Sequence, residues 1–200
     1  MRHDQGTAIL KYAPAASSAA ARLLDEAERL RALPLHPHLP ALVDCREDGD
    51  TSLLLLEDVG GRDLDSRWRS NAPPLGEVLA VAADISGALA HLHAHGLVHL
   101  DVTEGNIVAA ENRYVLVDLG IGVAMGDRHA VTVDGSGTDR RRAPEVAHPG
   151  RKATPAADVY ALGAVLTDAL LGGGGRAWPP STAGQLAACH LDPGANAHRR

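Results

Sequence analysis

His99-Leu100-Asp101-Val102-Thr103-Glu104-Gly105-Asn106, and after it the run Tyr114-Val115-Leu116-Val117 closing on Asp118-Leu119-Gly120, decide how this chain is read. The first segment has the spacing H-x-D-x-x-x-x-N. The second is a short apolar strand that ends abruptly on a carboxylate and a glycine. Polar residues at strand ends and in tight loops sit at the edge of a rigid scaffold, where chemistry is usually placed. Upstream, Pro73-Pro74 opens a helix expected over Leu75–His95, with Val78, Ala82, Ile85, Leu89 and Leu92 on one face and Gly96 as its C-terminal cap. Leu97–His99, Ile107–Ala109 and Tyr114–Val117 read as short strands, the last two joined by the turn Glu111-Asn112-Arg113. Downstream, Gly120–Pro144 is Gly-rich and charged, a long loop, and Asp158–Leu171 is an apolar helix that Gly172–Gly175 ends.

The N-terminal part has a different texture. Thr7–Tyr12 is a strand-like run, and Pro14 ends it. Ser17 or Ser18 caps a helix to about Leu33, with Leu23, Ala27, Leu30 and Leu33 at helical spacing. Pro34, Pro37 and Pro40 break the chain into a loop that carries His36 and His38. Ala41–Cys45 and Ser52–Leu56 read as strands around Glu47-Asp48-Gly49-Asp50, and Gly60-Gly61 forms a joint before a short helix over Asp63–Arg69. Beyond Arg176 the chain is rich in Pro, Gly and Ala, with one helix expected near Thr182–His190.

Composition narrows the function classes. The 200 residues, 45% hydrophobic and 22% charged, can build a core and exclude wholesale disorder. A net charge of −6 argues against a nucleic-acid partner. Two cysteines, Cys45 and Cys189, are too few for a disulfide framework and suggest a reducing compartment. The start Met1-Arg2-His3-Asp4 leads into no secretory h-region. The most apolar runs, Val78–Ala90 and Tyr160–Leu171, are interrupted by Asp84 and Asp168, so no transmembrane segment is expected and a cytoplasmic location is. Phe is absent, so Leu, Val, Ile and Ala must fill the core. The 19 basic residues include only two lysines, Lys11 and Lys152, in an Ala- and Arg-rich composition typical of a GC-rich bacterial genome. Lysine retained at position 11 marks a place where a compact point charge is wanted.

Six pieces stand in one order: Ala8-Ile9-Leu10-Lys11 at a strand end with Glu26 in the next helix, His99…Asp101…Asn106, Asp118-Leu119-Gly120, Gly137-Thr138, Ala143-Pro144-Glu145, and Asp158…Gly163 in the late helix. In that order and context they resemble the eukaryotic-type protein kinases, in their bacterial, actinobacterial-like serine/threonine branch. The resemblance runs from about Thr7 to Leu171. It implies an α+β, two-lobed protein-kinase-like fold. The single domain over 1–200 would comprise a small, incomplete β-rich N-lobe over about 1–59, a mainly helical C-lobe over about 60–175, and a shortened irregular part over 176–200.

The resemblance also implies roles. Asp101 would accept or orient the proton of a protein Ser/Thr hydroxyl, Asn106 and Asp118 would hold Mg²⁺, and Lys11 would reach the ATP phosphates, oriented by Glu26. Glu26 is preferred over Asp25 and Glu28 because Leu30 and Leu33 follow on its core-facing side. Glu57-Asp58-Val59 resembles the segment whose backbone holds adenine, with Leu56 at the gatekeeper position and Asp63 near the ribose. Thr138 resembles the threonine that supports the catalytic Asp, and Asp158 the buried acid that ties the catalytic loop. Thr132 and Ser136 are candidate phosphorylation sites.

Departures from the family are visible. No G-x-G-x-x-G precedes Lys11, Leu100 stands in place of the usual Arg, and Thr103 in place of the Lys that steadies the transferred phosphate. Arg141 replaces an aromatic residue, Leu119 replaces Phe, and Leu191-Asp192-Pro193…Arg199 only faintly resembles the late C-lobe turn. The readings in play are a serine/threonine kinase, a pseudokinase acting as a binding or scaffold module (or a truncated, inactive kinase), and a small-molecule phosphotransferase of related fold. Ala143-Pro144-Glu145 and Asp158…Gly163 argue against the last. His91 and His95 at i, i+4 allow a zinc site but lack the glutamate of an H-E-x-x-H motif, and His99 reads better as a scaffold residue.

Overall fold

A computed structural model describes residues 7–119, 122–127, 143–144 and 152–171. Strands β1 (Ala8–Pro14), β2 (Leu42–Asp48) and β3 (Thr51–Glu57) form an antiparallel sheet in the order β1-β3-β2. Its central strand alternates cleanly: Ser52, Leu54 and Leu56 point inward and are buried, as a half-covered sheet requires. Register sets Lys11 opposite Leu54 and Ala8 opposite Glu57. Helix α1 (Ser18–Ala32) packs on this sheet and buries Ala20, Glu26, Ala27 and Leu30. Ser17 is the cap, its hydroxyl accepting from the Ala20 N–H at 3.1 Å.

A short strand β4 (Arg62–Asp63) then enters the second lobe and pairs with β6 (Ile107–Ala109), which pairs in turn with β7 (Tyr114–Leu116). Helix α2 (Leu64–Trp68) follows directly from β4. Gly61 sits at φ +92°, and any side chain there would drive into the Ala109 carbonyl, so the joint between the lobes needs glycine. Helix α3 (Leu75–Ala94) is the spine of the second lobe; Val78, Val81, Ile85, Ala88, Leu89 and Leu92 are buried along it. Gly96 follows its end at φ +75°, as expected of a cap. β5 (Leu97–Val98) pairs with β8 (Val123–Ala124), and a single 3-10 turn over Glu104–Asn106 leads into β6.

Helix α4 (Pro155–Leu170) packs against α3. It begins before the expected Asp158, because Pro155 is well suited to the first helical position. β4 and β8 go beyond the sequence expectation; two-residue strands have no periodicity to read. One apolar core runs through both lobes, from Leu30, Leu54 and Leu56 to Leu64, Ile85, Leu92, Leu116 and Val165. A smaller cluster joins Val98, Leu100, Ala143, Ala153 and Ala157.

Helix α3 contains a window of mean hydropathy 1.4, long and apolar enough, by length and composition, to cross a membrane. Asp84 therefore does not by itself exclude such a segment, contrary to the sequence argument. In this fold the helix lays its apolar face on the core, and Asp84 accepts from the Tyr114 N–H at 2.9 Å. The expected helix near Thr182–His190, the turn Leu191…Arg199, and Gly120, Thr132, Ser136, Gly137, Thr138, Arg141 and Glu145 lie outside the described residues.

Candidate active site

Three elements distant in sequence deliver one charged cluster. From β1, the Lys11 ammonium reaches both carboxylate oxygens of Glu26 on α1 at 2.9 Å. The same nitrogen reaches Asp118 Oδ1 at 2.9 Å, just beyond the end of β7. Glu26 is 1% exposed, so its charge needs a partner, and Lys11 supplies it. Burial alone would lower the Lys11 pKa. The hydrogen bonds and charges of Asp118 and Glu26 outweigh that and hold it above its ordinary value, so the ammonium stays charged. Of Asp25, Glu26 and Glu28, it is Glu26 that meets Lys11.

The second cluster is the loop after β5. Asp158, fully buried in the first turn of α4, accepts the His99 N–H at 2.9 Å and the Leu100 N–H at 2.8 Å. The His93 ring adds a third contact at 2.8 Å. Leu100 is thereby held at φ +65°, a left-handed conformation that costs a non-glycine residue about 1–2 kcal/mol. His99 is also fully buried. Its Nδ1 accepts the Asp101 N–H at 3.3 Å, so Nε2 carries the proton and donates to the Val117 carbonyl at 3.3 Å. Burial pushes the His99 pKa down against the pull of Asp158, Asp101 and Asp118, which keeps the ring neutral.

That frame presents Asp101. The Asn106 side-chain amide donates to both the Asp101 carbonyl and Asp101 Oδ2, each at 2.9 Å. The Asn106 backbone carbonyl accepts the Val117 N–H at 2.9 Å, which lays the end of β7 beside the loop that carries Asp101. Asp118 follows at once, at φ +68°. Asn106 and Asp118 thus come from adjoining segments with hard oxygen donors. Among the described residues no cluster of three His, Cys, Asp or Glu could cage a metal. Two protein oxygens completed by phosphate are a usual way of holding Mg²⁺, so this donor set fits it.

The residues expected to meet adenine and the ribose make contacts that sequence reading did not supply. Leu56 is buried near the end of β3. The Glu57 side chain ties the lobes together: Oε2 accepts the Ala41 N–H at 3.1 Å and Oε1 meets Arg113 at 2.8 Å. Val59 lies between this clasp and Gly60-Gly61. Asp63 Oδ1 caps α2, accepting the Ser66 N–H at 2.7 Å, and that bond keeps its pKa below the ordinary value. So the carboxylate expected near the ribose is partly committed to a helix cap. The His91 and His95 rings lie 4.5 Å apart, with His91 Nε2 on the Pro34 carbonyl and His95 Nδ1 on the His91 carbonyl. Ala143 packs beside Val98 and Leu100 in the smaller apolar cluster.

Comparison with known proteins decides the family. The family model for the protein kinase domain matches residues 3–176. The chain belongs to the protein kinase family. Among its relatives are the serine/threonine-protein kinases PknA of Mycobacterium tuberculosis, 37% identical over 153 residues (72% of this chain, 35% of that protein), and PkaA of Streptomyces coelicolor, 34% identical over 154 residues (71% and 28%). PknH of Mycobacterium bovis is 34% identical over 163 residues (78% and 26%). The chain therefore spans about a third or less of the length of these curated relatives, which come from the bacterial group expected of the resemblance. Protein kinases generally use ATP and Mg²⁺.

In the two charged clusters, sequence reading also missed the contacts of Lys11 to Asp118, His93 to Asp158, and Arg29 to the Leu119 carbonyl. Only the last had a signal, since Arg29 is i+3 from Glu26 and shares its face of α1.

Proposed function

We propose that this chain is the kinase domain of a serine/threonine protein kinase, transferring the ATP γ-phosphoryl group to a Ser or Thr hydroxyl of a protein substrate. The observation that carries this reading is the meeting of Lys11, Glu26 and Asp118 from β1, α1 and the end of β7. Such a cluster puts a fixed cation beside a carboxylate suited to a metal, which is what positioning a triphosphate demands. The backbone of Glu57 and Val59 meets adenine, and Asp63 meets the ribose through the oxygen that does not cap α2. Lys11 binds the phosphates. Asn106 and Asp118 hold Mg²⁺, which neutralises phosphate charge. Asp101 takes the hydroxyl proton as the substrate oxygen bonds to phosphorus and ADP departs. One domain over 1–200, with lobes meeting near residue 60, and a cytoplasmic site of action complete the proposal.

Thr103 supports a second reading. It stands at the start of the 3-10 turn, where a cation would steady the transferred phosphate, and a threonine has no charge to offer. The protein would then bind nucleotide and act as a scaffold. Radiolabelled transfer from Mg-ATP to the protein itself and to a generic substrate, beside Asp101→Asn, separates the two. Kinase activity predicts Mg²⁺-dependent label that Asp101→Asn reduces by about 10²–10⁴-fold. Absence of label from folded wild-type protein would leave the scaffold reading standing.

A further inference from the structure

Helix α1 touches the Asp118 segment twice. Glu26 does so through Lys11, as described. One turn on, Arg29 Nη1 donates directly to the Leu119 carbonyl at 3.3 Å. The same carbonyl accepts the Gly122 N–H at 3.1 Å, and the Leu119 side chain is buried in the main core. Arg29 is itself steadied by Asp25 one turn back, at 3.8 Å. Its contact falls on the carbonyl of the residue next to Asp118, one peptide unit beyond Asp118 itself, whose backbone is in the left-handed region. A strained residue holds its direction only when its neighbours over-determine it. Here Lys11 fixes the Asp118 side chain on one side, and Arg29 with Gly122 fixes the Leu119 carbonyl on the other.

We propose that Arg29 is a positioning residue, a second strut from α1 that sets the direction of the Asp118 carboxylate for metal binding. It touches no substrate. It couples the placement of α1 to the metal site by a route that does not pass through Lys11. The inference rests on the kinase reading for its catalytic consequence, but its mechanical part does not. A guanidinium suits the task, because it stays charged and offers several donors in one plane to a carbonyl and a carboxylate at once.

The test is Arg29→Met, which keeps the apolar stem, and Arg29→Lys, which restores a cation. Two quantities are read: the Mg²⁺ concentration that half-saturates phosphoryl transfer at saturating ATP, and hydrogen–deuterium exchange of the backbone over residues 115–124 in nucleotide-free protein. Arg29→Met is expected to raise the Mg²⁺ requirement about tenfold, the size of one charged hydrogen bond at a part-exposed site, with less change in the ATP KM. It should also speed exchange over that segment. Arg29→Lys should recover part of both. Unchanged exchange in Arg29→Met would overturn the strut, and faster exchange with an unchanged Mg²⁺ requirement would overturn its role in metal binding. If wild-type protein transfers no phosphate, the kinase reading fails, while the exchange measurement still decides whether Arg29 holds the segment. Should Arg29→Met not fold, Arg29→Lys decides: faster exchange than wild type supports the strut, and identical exchange with identical Mg²⁺ dependence overturns it.

Discussion

The Lys11–Glu26–Asp118 bridge and the Asp158 clamp are both polar clusters around a non-glycine residue in the left-handed region, yet they are built oppositely. In the bridge, Glu26 is buried but the Lys11 and Asp118 side chains are 27% and 47% exposed, and the partners come from three separate elements. In the clamp, Asp158 and His99 are fully buried, and two of the bonds run to backbone N–H groups. Exposed ion pairs add little to stability, whereas buried N–H groups stripped of their acceptors cost a great deal. The two clusters therefore matter for different things. The clamp holds the fold around a strained loop, and, on the kinase reading proposed above, the bridge holds a charge pattern that counts when phosphate arrives.

Asp158→Ala tests the heavier side of this contrast. It strands the His99 and Leu100 N–H groups in a dry interior, at about 1–3 kcal/mol each, and removes the partner of His93. The expected loss of about 2–6 kcal/mol is a large share of a typical domain's total. For a chain of this size that is a drop of about 5–20 °C in melting temperature, read by circular dichroism. A melt within about 2 °C of wild type would mean the clamp contributes nothing and the contrast is false.

Glu26→Gln tests the bridge. Gln keeps the shape and one acceptor for Lys11 but removes the charge that aims it. Melting should move by only a few degrees, because Lys11 remains partly exposed and retains Asp118. Phosphoryl transfer should fall by about 10²–10³-fold, since a misdirected cation no longer meets the phosphates. A melt as damaged as that of Asp158→Ala, with transfer intact, would reverse the assignment of roles.

Much of this is legible in the sequence, for physical reasons that differ by residue. Leu89 and Leu92 announce α3 because a long helix repeats its apolar face many times. Asn106 and Asp118 stand out because each lies at the end of a short apolar strand, where a polar side chain has no packing role, and Asp101 stands out by its spacing from His99 and Asn106. The leucines that follow Glu26 single it out among three acids, and its contact with Lys11 agrees with that choice. β4 and β8 escape because two residues carry no period, and their pairing is set by β6 and β5. The Asp63 cap and the Glu57 clasp escape because one carboxylate suits a helix start, an arginine or a ribose equally well until the fold brings a partner.

Acidity separates the two regions again, with the smallest effect. Burial lowers the His99 pKa, and burial together with the nearby His91 and His38 lowers that of His36. A histidine whose pKa is lower folded than unfolded binds fewer protons in the native state. Its contribution to stability is therefore full above the unfolded value of about 6.5 and shrinks as pH falls below it. Lys11 has the opposite sign: its pKa is raised, so its contribution is lost only in strong alkali and is constant across the mildly acid range. Melting temperature should thus fall by a few degrees between about pH 7.5 and pH 5.5, well before ordinary carboxylates titrate near 4. His99→Asn can accept from the Asp101 N–H in place of Nδ1 without taking a proton, at the cost of the Nε2 bond to the Val117 carbonyl, which Asn is too short to reach. Its melting temperature should depend less on pH over that range than that of wild type, whereas Glu26→Gln should keep the full wild-type slope. Equal slopes in wild type and His99→Asn would place the acid sensitivity outside the clamp, with His36 the next residue to substitute.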